Sequence, residues 1–321
     1  MAKGKKVTVM GTGNVGSTVA FILAMNGTCH EVVLRSRKVS VAQGKALDMS
    51  QAANAARQHT IVRAAKTAED IAGSDVVVMT AGAPRTPGMS RDDLLVKNAE
   101  IAKIYAKEIK KYAPNAVVIV VANPLDVITY VTLKETGLKE CKVLGMAGIL
   151  DSARMAHFIY EQLGIGAGQI RATVMGGHGD TMVPLTRFTT VAGIPIDDLV
   201  TRTQLDTIVD KTKNGGKEIV ELLGNGSAYY APAKSTAVMV ESILKDTKQI
   251  HSCAVYLRGE FGAKNIVSGV PVMIGAGGAE KIMDDFKLDD CQKERFKKSV
   301  ESVQEMVDTL YKLDFFDKNK N

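Results

Sequence analysis

The sequence predicts an α/β protein in which a doubly wound parallel sheet comes first and a second, α+β domain follows. Over the first 150 residues, short and continuously apolar runs alternate with helical patterns. This alternation is typical of a parallel sheet that is covered by helices on both faces. From about Asp151 onward the segments become longer and mixed. We therefore predict two domains, 1–150 and 151–321.

The predicted elements follow one another in a regular order. The runs expected as strands in the first half are VTVMG, EVVLR, DVVVMTAG, AVVIVVANP and KVLGM, with helical patterns between them. The second half contains a helix, RATVMGG, mixed segments, SGVPVMIG and a final helix. In that helix an apolar residue recurs every three or four positions, at Phe296, Val300, Val303, Val307 and Leu310. This spacing predicts one core-facing side.

Composition and charge limit the possible functions. The chain has 321 residues, of which 45% are hydrophobic, enough for two moderate domains with their own cores. The net charge is +6, but lysine and arginine are spread along the chain, whereas a nucleic-acid surface needs a concentrated stripe. The four cysteines lie far apart without metal-ligand spacing, and no apolar run reaches eighteen residues. We predict a cytoplasmic protein without a metal, nucleic-acid or membrane partner, whose charge favours small anions.

A glycine motif follows the first predicted strand. VTVMGTGNVGSTVA contains Gly-x-Gly-x-x-Gly at Gly11, Gly13 and Gly16, between an apolar strand and the start of a helix. The first glycine allows a tight turn, the second lets a pyrophosphate approach the backbone, and the third lets helix and strand pack closely. The motif predicts a Rossmann dinucleotide-binding domain over 1–150, which leaves 151–321 as the substrate and catalytic domain.

The loop after the second predicted strand bears on the choice of cofactor. Ser36 lies twenty residues after Gly16, where NAD-binding chains place an acid that accepts hydrogen bonds from the ribose. An acid repels a 2′-phosphate and a serine does not, while Arg35, Arg37 and Lys38 add positive charge. Side chains alternate along a strand, so not all of these can face the adenosine, and Arg37 is expected to form the bidentate contact. The loop favours NADP(H); NAD(H) is the alternative if it is only a solvated basic turn.

Three further stretches contain candidate catalytic residues. His178 stands between glycines in MGGHGDTMVP. Asp151 and Arg154, in GILDSARM, lie three apart on one helix face. A carboxylate can orient an imidazole and an arginine can fork onto a substrate carboxylate, although the two also suit an N-cap and an ordinary ion pair. Arg85 and Arg91 lie in a long loop after an apolar strand, where parallel sheets bind ligands; a basic surface loop is the alternative.

These motifs together resemble one enzyme family. GTGNVG, QGKALDM, AGAPRTPGMSRDDLL, VANPLD, GILDSAR, GGHGD and GSAYYAPA are similar to the lactate/malate dehydrogenase family, and most of all to its bacterial malate-specific branch. The similarity runs from about Lys6 to Leu310. It implies an oxidoreductase that interconverts the dicarboxylate (S)-malate and oxaloacetate with a nicotinamide dinucleotide. It also implies a homotetramer or homodimer.

The resemblance implies a role for each candidate catalytic residue. His178 and Asp151 take the positions of the proton relay, and Arg154 that of the residue that binds the carboxylate beside the reacting carbon. Arg91 takes the position of the loop arginine that polarises the carbonyl when the loop closes. Arg85 stands where malate enzymes carry arginine and lactate enzymes carry glutamine, so it is expected to bind the second carboxylate.

The cofactor positions match the family except at one place. Asn123 of VANP is expected to contact the nicotinamide ribose and the substrate oxygen. The family's NAD enzymes carry an aspartate where Ser36 stands, whereas the chloroplast NADP-dependent malate dehydrogenases have a loop to which RSRKVS is similar. The residues expected at the cofactor are Gly11, Gly13, Asn14, Val15, Gly16, Arg35, Ser36, Arg37, Asn98 and Asn123.

Other functions are consistent with part of the pattern. An NAD-dependent malate dehydrogenase differs only in the cofactor loop, and a lactate or broad 2-hydroxyacid dehydrogenase would share everything except Arg85. A non-catalytic dinucleotide sensor has no use for His178 together with Asp151 and three arginines. NAD-dependent glycosidases have a related fold, but they need a Cys/His metal arrangement that the sequence lacks.

Overall fold

The structure, a computed structural model, describes residues 4–84 and 89–316. The helices are α1 (Asn14–Met25), α2 (Val39–Ala55), α3 (Arg91–Tyr112), α4 (Leu125–Thr136), α5 (Gly148–Leu163), α6 (Arg202–Leu223), α7 (Tyr230–Leu244) and α8 (Asp290–Lys312). The strands are β1 (Lys6–Met10), β2 (Glu31–Arg35), β3 (Ile61–Ala64), β4 (Val76–Met79), β5 (Val117–Val120), β6 (Val143–Gly145), β7 (Ile170–Arg171), β8 (Val174–Met175), β9 (Val183–Pro184), β10 (Thr190–Val191), β11 (Ile194–Pro195), β12 (Gln249–Arg258), β13 (Lys264–Gly275) and β14 (Gly278–Ile282). Short 3-10 helices occupy Ala68–Ile71, Glu140–Lys142, Ala167–Gln169, Thr186–Phe188, Ile196–Asp198 and Glu260–Gly262.

The chain divides into two compact units. The first unit comprises Met1–Met146, Tyr229–Gln249 and Met273–Lys281, and the second comprises Ala147–Ala228, Ile250–Val272 and Ile282–Asn321. Two segments that follow residue 150 in the chain therefore pack within the first unit. A single boundary at residue 150 stays a prediction for the domains themselves. Within residues 4–84 and 89–316, no helix combines the length and apolar character needed to cross a membrane.

The first unit is built on parallel strands in the order β3-β2-β1-β4-β5-β6. Every residue of β1, β4 and β5 is buried, as expected for strands covered on both faces. The chain leaves β1 toward β2 on one side and returns on the other side at β4. At such a reversal a crevice opens at the carboxyl ends of the strands. The predicted doubly wound parallel sheet is confirmed.

The second unit contains short antiparallel pairings and three of the helices. β10 pairs with β7 and β11, and β8 pairs with β9. A core cluster joins α5 and α6 to these strands through Met155, Ile159, Ile170, Val174, Met182, Val191, Ile196, Leu205 and Ile208. The core-facing side predicted for α8 is confirmed at Phe296, Val303, Val307 and Leu310. Ser299 is buried on that side as well, whereas Val300 is only partly buried.

The turn from β1 into α1 depends on a close approach between backbone atoms. Gly11 has a φ of +100°, which side chains rarely adopt. A Cβ on Gly16 would lie 2.0 Å from the carbonyl oxygen of Gly11 and 2.5 Å from Oγ1 of Thr80. A Cβ on Gly13, in contrast, would meet no atom within 4 Å. The first and third glycines of the motif are therefore required by packing, and the second leaves open space.

We expect Gly16→Ala to lower the stability of the protein and Gly13→Ala to leave it nearly unchanged. In α1 an alanine gains up to about 1 kcal/mol of helix propensity over glycine, but forcing a methyl group into a packed backbone contact costs about 1–3 kcal/mol or more. The clash therefore outweighs the gain at Gly16, and Gly13→Ala is the matched control. Thermal unfolding without cofactor measures both, and equal midpoints for the two variants would contradict the packing argument.

Candidate active site

A cleft of about 240 Å³ opens in the first unit at the carboxyl ends of the strands. Its lining comes from the glycine turn, the loop after β2, the loop after β4 and one face of α3, and consists of Gly11, Thr12, Gly13, Ser36, Arg37, Thr80, Ala81, Gly82, Ile101 and Tyr105. No acidic residue is among these lining residues. The crevice predicted at this edge of the sheet is thus present, and it holds four of the ten residues expected at the cofactor.

The geometry of the glycine turn fits a pyrophosphate. The open space above Gly13 is where a Cβ would otherwise stand, and Gly13 caps α1 without a side-chain hydrogen bond. The backbone N–H groups of Asn14, Val15 and Gly16 begin the helix, and such unpaired N–H groups together with the helix dipole attract an anion. The residues present therefore suit a dinucleotide at this edge.

Two residues that the sequence did not single out brace this turn. The ammonium group of Lys45 donates hydrogen bonds to the carbonyl oxygen of Thr12, at 2.6 Å, and to Oγ of Ser17, at 2.8 Å. The hydroxyl of Thr80 donates to the carbonyl oxygen of Gly11 at 3.0 Å. Lys45 belongs to the QGKALDM motif, but its spacing from the glycine turn carries no local signal. Only the packing of α2 and β4 brings these groups to the turn.

The arginines of the loop after β2 differ in their surroundings. Arg37 is exposed and lines the cleft with Ser36. Oγ of Ser36 accepts a hydrogen bond from the backbone N–H of Lys38 at 3.3 Å. Arg35 is not among the lining residues; its guanidinium is bound by Glu108 of α3. This carboxylate holds the pKa of Arg35 above its usual value, although partial burial acts in the opposite sense. Direct contact of Arg35 with a cofactor stays a prediction.

The other candidates of the first unit lie in loops and at a helix start. The buried amide of Asn98 accepts from the backbone N–H of Ala83 at 2.7 Å and donates to the carbonyl oxygen of Asn123 at 2.7 Å, so it ties the loop after β4 to the loop after β5. Asn123 is exposed. Arg91 is exposed at the first position of α3. Arg85 lies outside the described residues.

In the second unit, the structure brings His178 and Asp151 together. Nδ1 of His178 lies 3.0 Å from Oδ2 of Asp151. The side chain of Asp151 is only 2% exposed and that of His178 is 17% exposed. A carboxylate opposite Nδ1 favours the tautomer with hydrogen on that nitrogen, so that Nε2 of the neutral ring carries the lone pair. This arrangement can accept a proton and stabilise the resulting imidazolium.

Close packing at the start of α5 positions the pair. A Cβ on Gly148 would lie 2.5 Å from Cβ of Ser252 and 2.8 Å from the carbonyl oxygen of Val174. One residue beyond Asp151, the hydroxyl of Ser152 accepts a hydrogen bond from the backbone N–H of Val174 at 3.0 Å. The first turn of α5 therefore lies directly against β8, the strand that leads to His178.

Arg154 lies beside the pair with unused hydrogen-bonding capacity. Its Nη1 is 3.5 Å from Oδ1 of Asp151, which is a long contact, and its side chain is 14% exposed. Among the described residues, its buried Nε has no hydrogen-bond partner. A Cβ on Gly216 of α6 would lie 3.2 Å from both terminal nitrogens of this guanidinium. An unpaired buried donor is costly, so this geometry suits an anionic ligand.

Hydrogen bonds with Ser299 of α8 anchor the turn that carries His178. Gly176 has a φ of +84°, and its backbone N–H donates to the carbonyl oxygen of Gly269 at 2.7 Å. The hydroxyl of Ser299 accepts from the backbone N–H of Gly177 at 2.7 Å and donates to Oγ1 of Thr181 at 3.2 Å. Ser299 interrupts the apolar face of α8, and a serine at a core-facing position was the signal available in the sequence.

The cleft and the histidine–aspartate pair beside an arginine define an NAD(P)-dependent dehydrogenase. The chain belongs to the lactate/malate dehydrogenase family. Residues 5–145 match the family's NAD binding domain, and residues 149–313 match its alpha/beta C-terminal domain. The described residues contain no group of three or more His, Cys, Asp or Glu side chains arranged to hold a metal ion.

Similar proteins carry the names of both branches of the family. A malate dehydrogenase of Sulfurimonas denitrificans is 60% identical over 320 residues, which cover 100% of both chains. The crystal structure of Cryptosporidium parvum malate dehydrogenase is 41% identical, covers 96% of this chain and 99% of its own, and superposes with a TM-score of 0.93. Lactate dehydrogenase of the same organism, complexed with lactic acid and nicotinamide adenine dinucleotide, is 37% identical, covers 97% and 99%, and also has a TM-score of 0.93.

We expect Ser299→Ala to lower kcat by about tenfold, because small displacements of a reacting group are costly in rate. The substitution removes the acceptor of the Gly177 N–H and loosens the turn below His178. Ser268→Ala is the matched control: Ser268 is also fully buried, in β13, and its hydroxyl has no hydrogen-bond partner among the described residues. Steady-state kinetics at saturating cofactor separates kcat from KM. Equal kcat values for the two variants would show that the hydroxyl does not position the turn.

Proposed function

We propose that this protein catalyses the reversible oxidation of (S)-malate to oxaloacetate with a nicotinamide dinucleotide. One observation carries this proposal: the buried carboxylate of Asp151 contacts both Nδ1 of His178 and the guanidinium of Arg154, whose Nε has no partner among the described residues. A proton acceptor and a carboxylate-binding group thus stand side by side. A 2-hydroxy acid needs both, because its hydroxyl and its carboxylate are on neighbouring atoms.

The histidine–aspartate pair performs the proton transfer. Nε2 of neutral His178 accepts the proton of the substrate 2-hydroxyl, and Asp151 stabilises the imidazolium that forms. When bound, the nicotinamide ring supplies the acceptor for the hydride that leaves C2. In the reverse direction His178 protonates the oxygen of the reduced carbonyl. Because Asp151 is almost completely buried, water screens its attraction to the imidazolium only weakly.

Arginines supply the recognition of the substrate. Arg154 binds the carboxylate beside C2 through two parallel N–H donors, and the missing side chain at Gly216 leaves room for its guanidinium against α6. The roles of Arg91 in polarising the carbonyl, of Asn123 at the substrate oxygen and of Arg85 at the second carboxylate rest on the family resemblance. Arg85 favours a dicarboxylate, which agrees with the names of the similar malate dehydrogenases.

Lactate oxidation is the second candidate activity, because a lactate dehydrogenase is among the similar structures. The specificity constants for oxaloacetate and pyruvate discriminate the two: a dicarboxylate enzyme prefers oxaloacetate. Saturable cofactor binding without turnover of either compound would favour a non-catalytic sensor. Assembly as a homotetramer or homodimer and a cytoplasmic location remain predictions.

We expect His178→Asn to reduce kcat by about 10²–10⁴-fold, the typical contribution of a general acid–base group. Cofactor affinity, measured by titration, should stay within about twofold because His178 does not line the cleft of the first unit. His157→Asn is the control: His157 lies on α5 with Asp151, but its side chain is 57% exposed. Retention of more than a tenth of the activity in His178→Asn would remove His178 from the proton relay.

We propose that NADP(H) is the favoured cofactor. Oγ of Ser36 already accepts the N–H of Lys38, so its hydrogen is available to donate, and a phosphate only accepts. Exposed Arg37 adds a positive charge at the same cleft, and the described residues that line this cleft include no carboxylate that would repel a 2′-phosphate. The family's NAD binding domain makes NAD(H) the alternative.

We expect Ser36→Asp to shift the ratio of specificity constants from NADPH toward NADH, because the new carboxylate accepts ribose hydroxyls and repels a 2′-phosphate. Arg37→Met should weaken the binding of NADPH but not that of NADH. Added salt should have the same selective effect, because an exposed arginine–phosphate contact is screened. Lys38→Met is the control, since Lys38 is exposed but does not line the cleft. A wild-type preference for NADH would return the cofactor to NAD.

A further inference from the structure

The last residue of β2 is bound by a helix that lies far from it in the sequence. Nε and Nη2 of Arg35 donate to the two carboxylate oxygens of Glu108, at 3.0 Å and 2.7 Å. The side chains of Arg35 and Glu108 are only 17% and 16% exposed. This is a bidentate, charge-assisted pair, which has both strength and a defined orientation. Such a contact is stronger and more directional than an exposed ion pair.

The same guanidinium also holds the cofactor loop. Nη1 of Arg35 donates to the carbonyl oxygen of Ser36 at 2.9 Å. All three nitrogens of the guanidinium are thus bonded, two to α3 and one to the peptide that follows Ser36. The direction of that peptide determines where the backbone of Arg37 begins. Glu108 consequently reaches the loop through Arg35.

The face of α3 that carries Glu108 also forms one wall of the cleft. Ile101 and Tyr105 line the same cleft as Ser36 and Arg37, and Glu108 follows Tyr105 by three residues, about one helical turn. Tyr105 is 5% exposed, and burial raises the pKa of its hydroxyl. One helix therefore contributes both part of the cleft lining and, through Glu108, the anchor of the loop that carries Ser36 and Arg37.

We propose that Glu108 is a positioning residue that determines selectivity at the 2′ position of the adenosine ribose, through its clamp on Arg35 and the Ser36 peptide. The inference rests on the proposed cofactor role of Ser36 and Arg37. A phosphate and a ribose hydroxyl differ in size and in hydrogen-bonding direction, so only a loop with a fixed orientation discriminates between them. The clamp also keeps Arg35 out of the cleft, which leaves Arg37 as the arginine that lines it.

An effect of net charge on cofactor selectivity can be distinguished from an effect of the position of the loop. The Arg35–Glu108 pair has no net charge, so replacing both residues together removes the clamp without changing the net charge of the protein. Replacing only one of the two by methionine does not have this property, because the other charge is left unpaired in a largely buried position. The informative variant is therefore the double substitution Arg35→Met with Glu108→Met.

The test measures dissociation constants for NADPH and NADH, and for the fragments adenosine 2′,5′-bisphosphate and 5′-AMP, by titration in the absence of substrate. In the double variant we expect the ratio of the dissociation constants for NADH and NADPH to move toward one by about fivefold or more. The same shift is expected between the two fragments, because loss of orientation weakens the charge-assisted contacts that distinguish a 2′-phosphate from a 2′-hydroxyl. The matched control is Glu31→Met with Arg63→Met, an arginine–glutamate pair at the opposite end of β2. The control should leave the ratio within about twofold of the wild type.

The outcomes separate this inference from the cofactor assignment. A wild-type preference for NADH overturns the assignment to NADP(H), while the clamp still requires the double variant to lose that preference. An unchanged ratio in the double variant, or an equal change in the control, overturns the clamp. A wild-type ratio near one overturns both. If the double variant does not fold, Arg35→Lys replaces it: lysine keeps the charge but cannot bond both carboxylate oxygens and the Ser36 carbonyl at once, so the ratio should again move toward one.

Discussion

The first unit depends on a backbone contact that leaves no room for a side chain. The carbonyl oxygen of Gly11 lies where a Cβ of Gly16 would stand, so α1 starts directly against the end of β1. This approach places the start of the helix at the cleft, which Gly11, Thr12 and Gly13 help to line. The hydroxyl of Thr80 and the ammonium group of Lys45 donate hydrogen bonds to the carbonyl oxygens of Gly11 and Thr12. These bonds attach the turn to the end of β4 and to α2.

The second unit uses the same physical device for another chemistry. Gly148 allows α5 to begin against β8 and β12, and the hydrogen bond from the Val174 N–H to Ser152 fixes the rotation of the helix. Asp151 is thereby buried next to His178. A buried carboxylate is unfavourable alone, but here it is paired with an imidazole and a guanidinium, and such pairs commonly mark functional sites. Packing and chemistry therefore constrain the same few residues.

Polar residues inside apolar faces mark the places where distant elements meet. Ser299 is the buried hydroxyl on the core side of α8, and it bonds the turn below His178. Asn98 plays a similar part on α3, where its amide ties together two loops at the carboxyl ends of the strands. Burial removes water from these two side chains, and their hydrogen bonds offset that loss. Each of the two side chains fixes a loop in position relative to the helix that carries it.

Local sequence patterns were enough to predict the fold class, five of the six strands of the parallel sheet and the local motifs, but the predicted strands did not include β3 or β12. The buried runs of β1, β4 and β5, the glycine spacing before α1 and the three-residue spacing of Asp151 and Arg154 are properties of a few neighbouring residues, so periodicity and turn chemistry were sufficient to predict them. Contacts between residues far apart in the chain do not follow from local patterns. The family resemblance paired Asp151 with His178, 27 residues away, but only the structure showed that Arg35 contacts Glu108, 73 residues away, and that Gly177 contacts Ser299, 122 residues away. Arg35 is an example. The sequence indicated a positive charge in the cofactor loop, but its guanidinium is bound by Glu108 of α3. No local pattern connects that helix to the loop, because the contact depends on how the two elements pack.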